Sequence, residues 1–298
     1  MNLFTRLYSY KILIKSKLPP SNMAPFSFSL SLALSLILSA FLVGMDALNL
    51  GILLILSICS MMAISLSVYI YNDITDVEID KINKLDRPLV TGEASIKEAF
   101  ELVIILSLLG HTMALLISLK FFLLILSFFI LFFIYSFPKV HLKSKFLIKD
   151  LTIAIGTFLS YLIGGSAIGS ILTPVFLMAI VGFVASLSTS IVKDIEDVKG
   201  DEIHKIKTFP IVWGPTLTIR LAIALVISGG IATIIGYYQL GFNIAFPLLA
   251  TLAFIAWVYT LYPLLKNYDK RYLHVLIPKK LTPICLLIQL LTIFGSLL

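Results

Sequence analysis

The sequence predicts an all-α, polytopic membrane protein of about nine transmembrane helices around a central cavity, and three observations carry that prediction. Of its 298 residues, 59% are hydrophobic and only 13% charged, against a globular norm of about half apolar and about a quarter charged. The apolar residues gather into runs near the roughly 20 residues that a bilayer span needs. The basic residues collect in alternate connections between those runs, as the positive-inside bias demands of a multi-pass chain.

Candidate spans lie near 24–44, 50–71, 96–118, 121–138, 147–168, 174–193, 216–238, 243–264 and 281–298. Ahead of them, residues 1–18 carry Arg6, Lys11, Lys15 and Lys17 among apolar residues, with no small-residue cleavage site before the next apolar run. That pattern predicts a retained interfacial segment and not a signal peptide. The spans flanking Lys120 are joined so tightly that they must form a helical hairpin. The run Phe121 to Phe137 contains seven Phe, most of which are expected to face lipid. Gly165-x-x-x-Gly169 reads as close helix packing. His111, well inside a span with no acidic or Cys partner at ligand spacing, reads as a packed or hydrogen-bonded residue. Cys59 and Cys285 offer no CxxC spacing and are expected to be free thiols.

With the N-terminus inside, 22 of the 23 Lys and Arg residues fall in inner segments, and only Lys120 lies outside. The formal charge of +7 is therefore read as topology. Little surface is left for the extended basic face that nucleic acid would need. The expected location is a cell membrane, with the N-terminus and the site described next on the cytoplasmic side.

Nine of the 16 carboxylates occupy two short windows. Asp73, Asp76, Glu78 and Asp80 end the second span; Asp194, Glu196, Asp197, Asp201 and Glu202 end the sixth. A shift of 121 residues carries Asp73, Asp76 and Asp80 onto Asp194, Asp197 and Asp201. One further residue of shift carries Pro88-Leu-Val-Thr-Gly92 onto Pro210-Ile-Val-Trp-Gly214. The whole chain, 1–298, is thus expected to be one domain built on a parallel internal repeat, with acidic motifs at 72–80 and 194–201.

At about 100° per residue, Asn72, Asp76 and Asp80 fall within an arc of roughly 80° on one helix face, while Glu78 points away. Asp194, Asp197 and Asp201 fit an arc of roughly 60°. Each stripe sits against the negative end of a helix dipole and repels itself, and a bound cation resolves both conflicts. Oxygen ligands without His or Cys suit a hard ion, and Mg²⁺ takes one or two carboxylates together with substrate phosphate oxygens. Lys84, Arg87, Lys143, Lys145, Lys205 and Lys207 are candidates to hold the same anion. A solvated helix end explains one such stripe, but not the repetition of its spacing. The residues themselves describe a diphosphate site at a membrane surface.

Asn72-Asp-x-x-Asp76-x-x-x-Asp80 followed by Asp86-Arg-Pro-Leu-Val-Thr-Gly-Glu93 resembles the first motif of the UbiA superfamily of intramembrane prenyltransferases. Asp194-x-x-Asp197-x-x-x-Asp201 followed by Lys207-Thr-Phe-Pro-Ile-Val-Trp-Gly214 resembles the second, and Tyr135-Ser136 and Leu142-Lys143 extend the likeness. The resemblance implies that Asn72, Asp76, Asp80, Asp197 and Asp201 hold two Mg²⁺ ions against a prenyl diphosphate, with Asp73 and Asp194 close by. It implies that Arg87 and Lys143 bind the diphosphate oxygens. Tyr135, near the membrane boundary, is a candidate to contact the diphosphate or to face an allylic cation, with an interfacial anchor as the alternative. The implied partners are a prenyl diphosphate, such as geranylgeranyl diphosphate, and a membrane-associated acceptor. The short first loop and its Asp-Arg-Pro run look most like the archaeal ether-lipid branch, with an aromatic quinone precursor as the alternative acceptor. A divalent cation transporter is the rival from another class. Its sites tend to lie at mid-membrane, whereas these stripes end their helices among cations that repel a bare metal ion.

Overall fold

The structure, a computed structural model, describes residues 3–19, 23–82, 86–203, 206–240, 242–266, 276 and 280–297. Among the described residues there are twelve α-helices and two 3₁₀ turns, and no strand. In chain order the helices are α1 (Leu3–Lys15), α2 (Ala24–Leu42), α3 (Ala47–Ile82), α4 (Pro88–Thr91), α5 (Ile96–Ile117) and α6 (Leu119–Ser136). They continue as α7 (Ile148–Ser166), α8 (Thr173–Ile203), α9 (Phe209–Trp213), α10 (Pro215–Leu240), α11 (Ala245–Leu261) and α12 (Thr282–Leu297). Eight of the described helices are long and apolar enough to cross a bilayer. The ninth predicted span corresponds to α12, at 16 residues a shorter helix.

Two helices outrun the bilayer. At about 1.5 Å per residue, the 36 residues of α3 reach well beyond a hydrocarbon core of about 30 Å. The 31 residues of α8 do the same. Their acidic motifs therefore lie on helical extensions of the spans, and the helical phase that sets the stripe is kept through Asp80 and Asp201.

The chain divides into two compact units, residues 1–33 with 46–141, and residues 34–45 with 142–298. In the first unit, α3 and α5 pack along their length. Gly110 makes this approach possible, since a Cβ there would lie 2.7 Å from Ile64 Cγ1. The Ser60 hydroxyl donates to the Gly110 carbonyl at 2.8 Å, satisfying a polar group that lipid could not. Ser118 forms the expected hairpin joint, ending α5 in an extended conformation and capping α6 through its side chain. Leu13, Ile70, Tyr71, Leu102 and Leu106 build the core, and α1 docks on it through Leu13, Tyr10 and Ile14. Tyr10 Oη donates to Glu101 at 3.1 Å and Arg6 lies 3.7 Å from the same carboxylate.

The Phe-rich α6 departs from expectation. Phe121, Phe128 and Phe132 are buried and Phe122, Phe129, Phe133 and Phe137 half-buried, so none of the seven is fully exposed. They stack on one another and on Phe28, Tyr71 and His111. Ring pairs gain from such contacts beyond the area they cover, which leaves Leu119, Leu123 and Ile130 as the exposed large apolar residues of α6. His111 is packed as predicted, its Nδ1 2.8 Å from the Ser107 carbonyl and its ring edge-on to Phe122 and Phe129.

In the second unit, α7 and α10 flank α8 over a core that includes Val181, Ile191, Val226, Phe254 and Trp257. Gly165 allows Val175 to approach, whereas Gly169, at φ +90°, serves the turn into α8. Cys59 and Cys285 are free thiols, as the sequence implied.

Candidate active site

The first acidic cluster lies at the end of α3, and the chain's own cations neutralise part of it. Asp73 is 2% exposed, with the Lys17 ammonium against Oδ2 and the Arg87 guanidinium 2.9 Å from Oδ1. The same Arg87 nitrogen lies 2.7 Å from Asp80 Oδ2. Arg87 can reach both because it precedes Pro88, which holds it extended just before the one-turn helix α4. That helix closes on Gly92 at φ +81°, a conformation that glycine adopts without strain. Burial pushes the Lys17 ammonium below its ordinary pKa, while the Asp73 carboxylate pulls the other way.

Asn72 and Asp76 stand beside this ion-pair network. Ser136 Oγ, from the end of α6, donates to Asn72 Oδ1 at 2.8 Å, and Asn72 Nδ2 donates to Asp76 Oδ2 at 3.0 Å. The chain Ser136–Asn72–Asp76 thus fixes the amide that the sequence singled out. Tyr135, half-buried on the preceding position of α6, packs against Phe132.

The second cluster lies at the end of α8. Asp194 is buried, with Lys149 from the first turn of α7 against Oδ1. Its Oδ2 is buried with no hydrogen-bond partner among the described residues. One helical turn earlier, Ser190 Oγ donates to the buried Asp150 at 2.5 Å. One turn before that, Ser186 accepts from Thr157 at 3.0 Å. Positions 186, 190 and 194 form one polar stripe facing α7. Asp201, half-buried, lies further along α8. The Asp197 side chain, Lys84 and Lys205 lie outside the described residues. Lys143 is half-buried in the 3₁₀ turn Leu142–Ser144, while Lys145 and Lys207 are exposed.

In the sequence Lys17 and Lys149 read only as topology-setting cations, and Asp150 and Ser190 carry no signal of a role beyond the pair Lys149-Asp150 at a span's start. Their partners are 40 or more residues away.

No three His, Cys, Asp or Glu residues form a metal-holding group by themselves among the described residues. The donor set nevertheless fits Mg²⁺, which takes few carboxylates and completes its shell with phosphate oxygens and water. The buried Asp194 oxygen, which has no hydrogen-bond partner among the described residues, is the kind of atom that a cation satisfies.

The repeat is not symmetric in its chemistry. The position of Arg87 relative to Pro88 is taken, relative to Pro210, by Phe209. Phe209 packs on Phe146 and Trp213 with ring centroids 5.0 and 5.1 Å apart. The first motif carries a guanidinium where the second carries an aromatic brace.

The UbiA prenyltransferase family matches residues 29–275. The chain belongs to that family. It is accordingly a prenyltransferase and a multi-pass membrane protein. Among curated family relatives, digeranylgeranylglyceryl phosphate synthase of Methanosphaera stadtmanae is 33% identical over 203 residues, 68% of this chain and 73% of its own. The enzyme of the same name from Methanobrevibacter smithii is 30% identical over 243 residues, 79% and 84% of the two chains. A solved structure of digeranylgeranylglyceryl phosphate synthase in membranes aligns with a TM-score of 0.77 at 26% identity, covering 98% of each chain. A UbiA homolog from Archaeoglobus fulgidus bound to DMAPP and Mg²⁺ shares the fold, with a TM-score of 0.72 at 20% identity over 96% of this chain and 97% of its own.

Proposed function

We propose that this prenyltransferase, with Mg²⁺, transfers a geranylgeranyl group from geranylgeranyl diphosphate to geranylgeranylglyceryl phosphate. In this reading it works in the cell membrane, with its N-terminus and both acidic clusters on the cytoplasmic side. Similarity to relatives named digeranylgeranylglyceryl phosphate synthase supports the acceptor. The observation that carries the chemistry is Arg87, a guanidinium held beside a cluster of oxygen ligands. This pairing suits an anion that arrives with its metal and does not suit a bare cation.

In the reaction the bond between the allylic C1 and the diphosphate oxygen breaks, and its electron pair leaves with the diphosphate. The acceptor hydroxyl oxygen forms the new bond to C1 and loses its proton. Bound Mg²⁺ supplies charge to the departing diphosphate. Asn72, Asp76 and Asp80 of the first cluster and Asp197 and Asp201 of the second would hold two such ions, and the buried Asp194 oxygen would add a further donor. Arg87 and Lys143 take diphosphate oxygens, with Lys84, Lys145, Lys205 and Lys207 as further cations at the same surface. Tyr135 offers a ring face to developing positive charge.

The test is a purified-protein assay with Mg²⁺ and labelled geranylgeranyl diphosphate, offered geranylgeranylglyceryl phosphate or an aromatic quinone precursor. Labelled diether and free diphosphate are expected with the lipid acceptor. Product formed only with the aromatic acceptor would overturn the acceptor assignment and leave the enzyme class intact.

A further inference from the structure

Lys17 has no assigned part in the chemistry, yet it is among the most enclosed cations described. Its side chain is 7% exposed and its partner Asp73 is 2% exposed. A lysine that only sets topology belongs in water, where its charge costs nothing. A buried ion pair, moreover, is seldom worth more to stability than apolar residues of the same volume. What such a pair does provide is fixed direction.

We propose that Lys17 is a positioning residue of the first cluster: by sharing Asp73 with Arg87, it withholds Asp73 from the metal and sets the guanidinium toward the bound diphosphate. This rests on the reading of that cluster as a metal–diphosphate site. Both oxygens of Asp73 are engaged, Oδ2 by Lys17 and Oδ1 by Arg87, so a metal ion approaching either one meets a cation already in place. Asp194, its counterpart in the repeat, has one oxygen on Lys149 and the other buried without a hydrogen-bond partner among the described residues. The first aspartate of one motif carries a cation on each oxygen, and that of the other, among the described residues, on one alone. The two therefore divide roles that the repeated spacing had made look identical.

Lys17 is also held in place. It follows α1, its amide donates to the Ile14 carbonyl at 2.9 Å, and α1 is pinned by Leu13 in the core and by Tyr10 and Arg6 on Glu101. The 121-residue shift that relates the acidic motifs does not carry Lys17 onto Lys149. The two lysines reach their aspartates from positions that this shift does not superpose, each near the start of the span that precedes its motif helix.

The test reads metal binding without turnover, using Mn²⁺ titrated into detergent-purified protein and followed by electron paramagnetic resonance. Asp76→Asn serves as the control and should lose affinity. Asp73→Asn should keep Mn²⁺ affinity within about threefold of wild type, whereas Asp194→Asn should lose about tenfold or more, the scale on which coordinating shells act. In the transfer assay, Lys17→Met should raise the KM for geranylgeranyl diphosphate about tenfold, and Lys17→Arg should restore most of it. The double variant Lys17→Met/Asp73→Asn leaves neither member of the pair charged, guards against failure to fold, and should bind Mn²⁺ normally with the raised KM. Loss of Mn²⁺ binding in Asp73→Asn equal to that in Asp76→Asn would overturn the proposal. So would a Lys17→Met protein with lowered thermal stability but an unchanged KM, because that is the signature of a structural residue. Unaltered Mn²⁺ binding in Asp76→Asn would instead sink the underlying metal reading.

Discussion

Replacing Arg87 tests the first cluster most directly, because one side chain there serves two carboxylates. Arg87→Ala removes charge-assisted bonds of 2.9 Å to Asp73 and 2.7 Å to Asp80. Breaking a buried pair by deleting one partner costs about 3–5 kcal/mol. Two features reduce that figure here: Arg87 is 35% exposed, and Asp73 keeps Lys17. Only Asp80, 7% exposed, loses the cation shown beside it, so about 2 kcal/mol is the reasonable loss of stability. Loss of the bidentate fork toward diphosphate is of similar size, which corresponds to about 30-fold weaker binding at 1.4 kcal/mol per decade. Arg87→Lys keeps a charge but not the fork, so its binding should fall between the two. The assay is displacement of a labelled, non-reacting prenyl diphosphate analogue at saturating Mg²⁺, with thermal unfolding recorded in parallel. Equal affinity in all three proteins would mean that Arg87 only sets topology, and it would then leave the site.

Asp76→Ala and Asp197→Ala should each abolish transfer while leaving the thermal unfolding profile in detergent close to wild type; near-normal activity in either at saturating Mg²⁺ would remove the two-cluster mechanism. Gly110→Ala places a Cβ 2.7 Å from Ile64 and 3.0 Å from the Ser60 carbonyl, so overpacking of α3 on α5 should cost about 1–3 kcal/mol, read as a lowered Tm. Asp46 accepts from the Leu48 and Asn49 amides and the Asn49 side chain at the start of α3, and the Asn49 bonds above all hold its carboxyl below the usual range. A depressed carboxylate stabilises the fold above its unfolded pKa of about 3.9, and that contribution disappears as pH falls through the lower folded value. The Tm difference between wild type and Asp46→Ala should therefore be present at neutral pH and vanish in acid.

The spans and the acidic stripes were legible because each obeys a rule that acts within one segment. A bilayer demands an apolar run of fixed length, and helical phase puts Asn72, Asp76 and Asp80 on one face whatever surrounds them. The continuation of α3 through Asp80 needed no tertiary information either, only a helix that outlasts its apolar stretch. What stayed hidden was any decision made between segments. Lys17 and Lys149 sit in inner, basic segments like those that hold Lys145 and Lys207, and nothing local distinguishes the buried Lys17 and half-buried Lys149 from the exposed pair. The side-chain contacts separate them, since Lys17 meets Asp73 and Lys149 meets Asp194 across dozens of residues. The same holds for Phe209, which the aligned motifs place opposite Arg87 and which looks like a drifted position until its rings with Phe146 and Trp213 are seen. A positive-inside count treats every lysine as equivalent, and a repeat treats every aligned aspartate as equivalent. The chemistry of the site depends on where both equivalences break: the buried Lys17 occupies Asp73, and Asp194 keeps an oxygen unclaimed among the described residues.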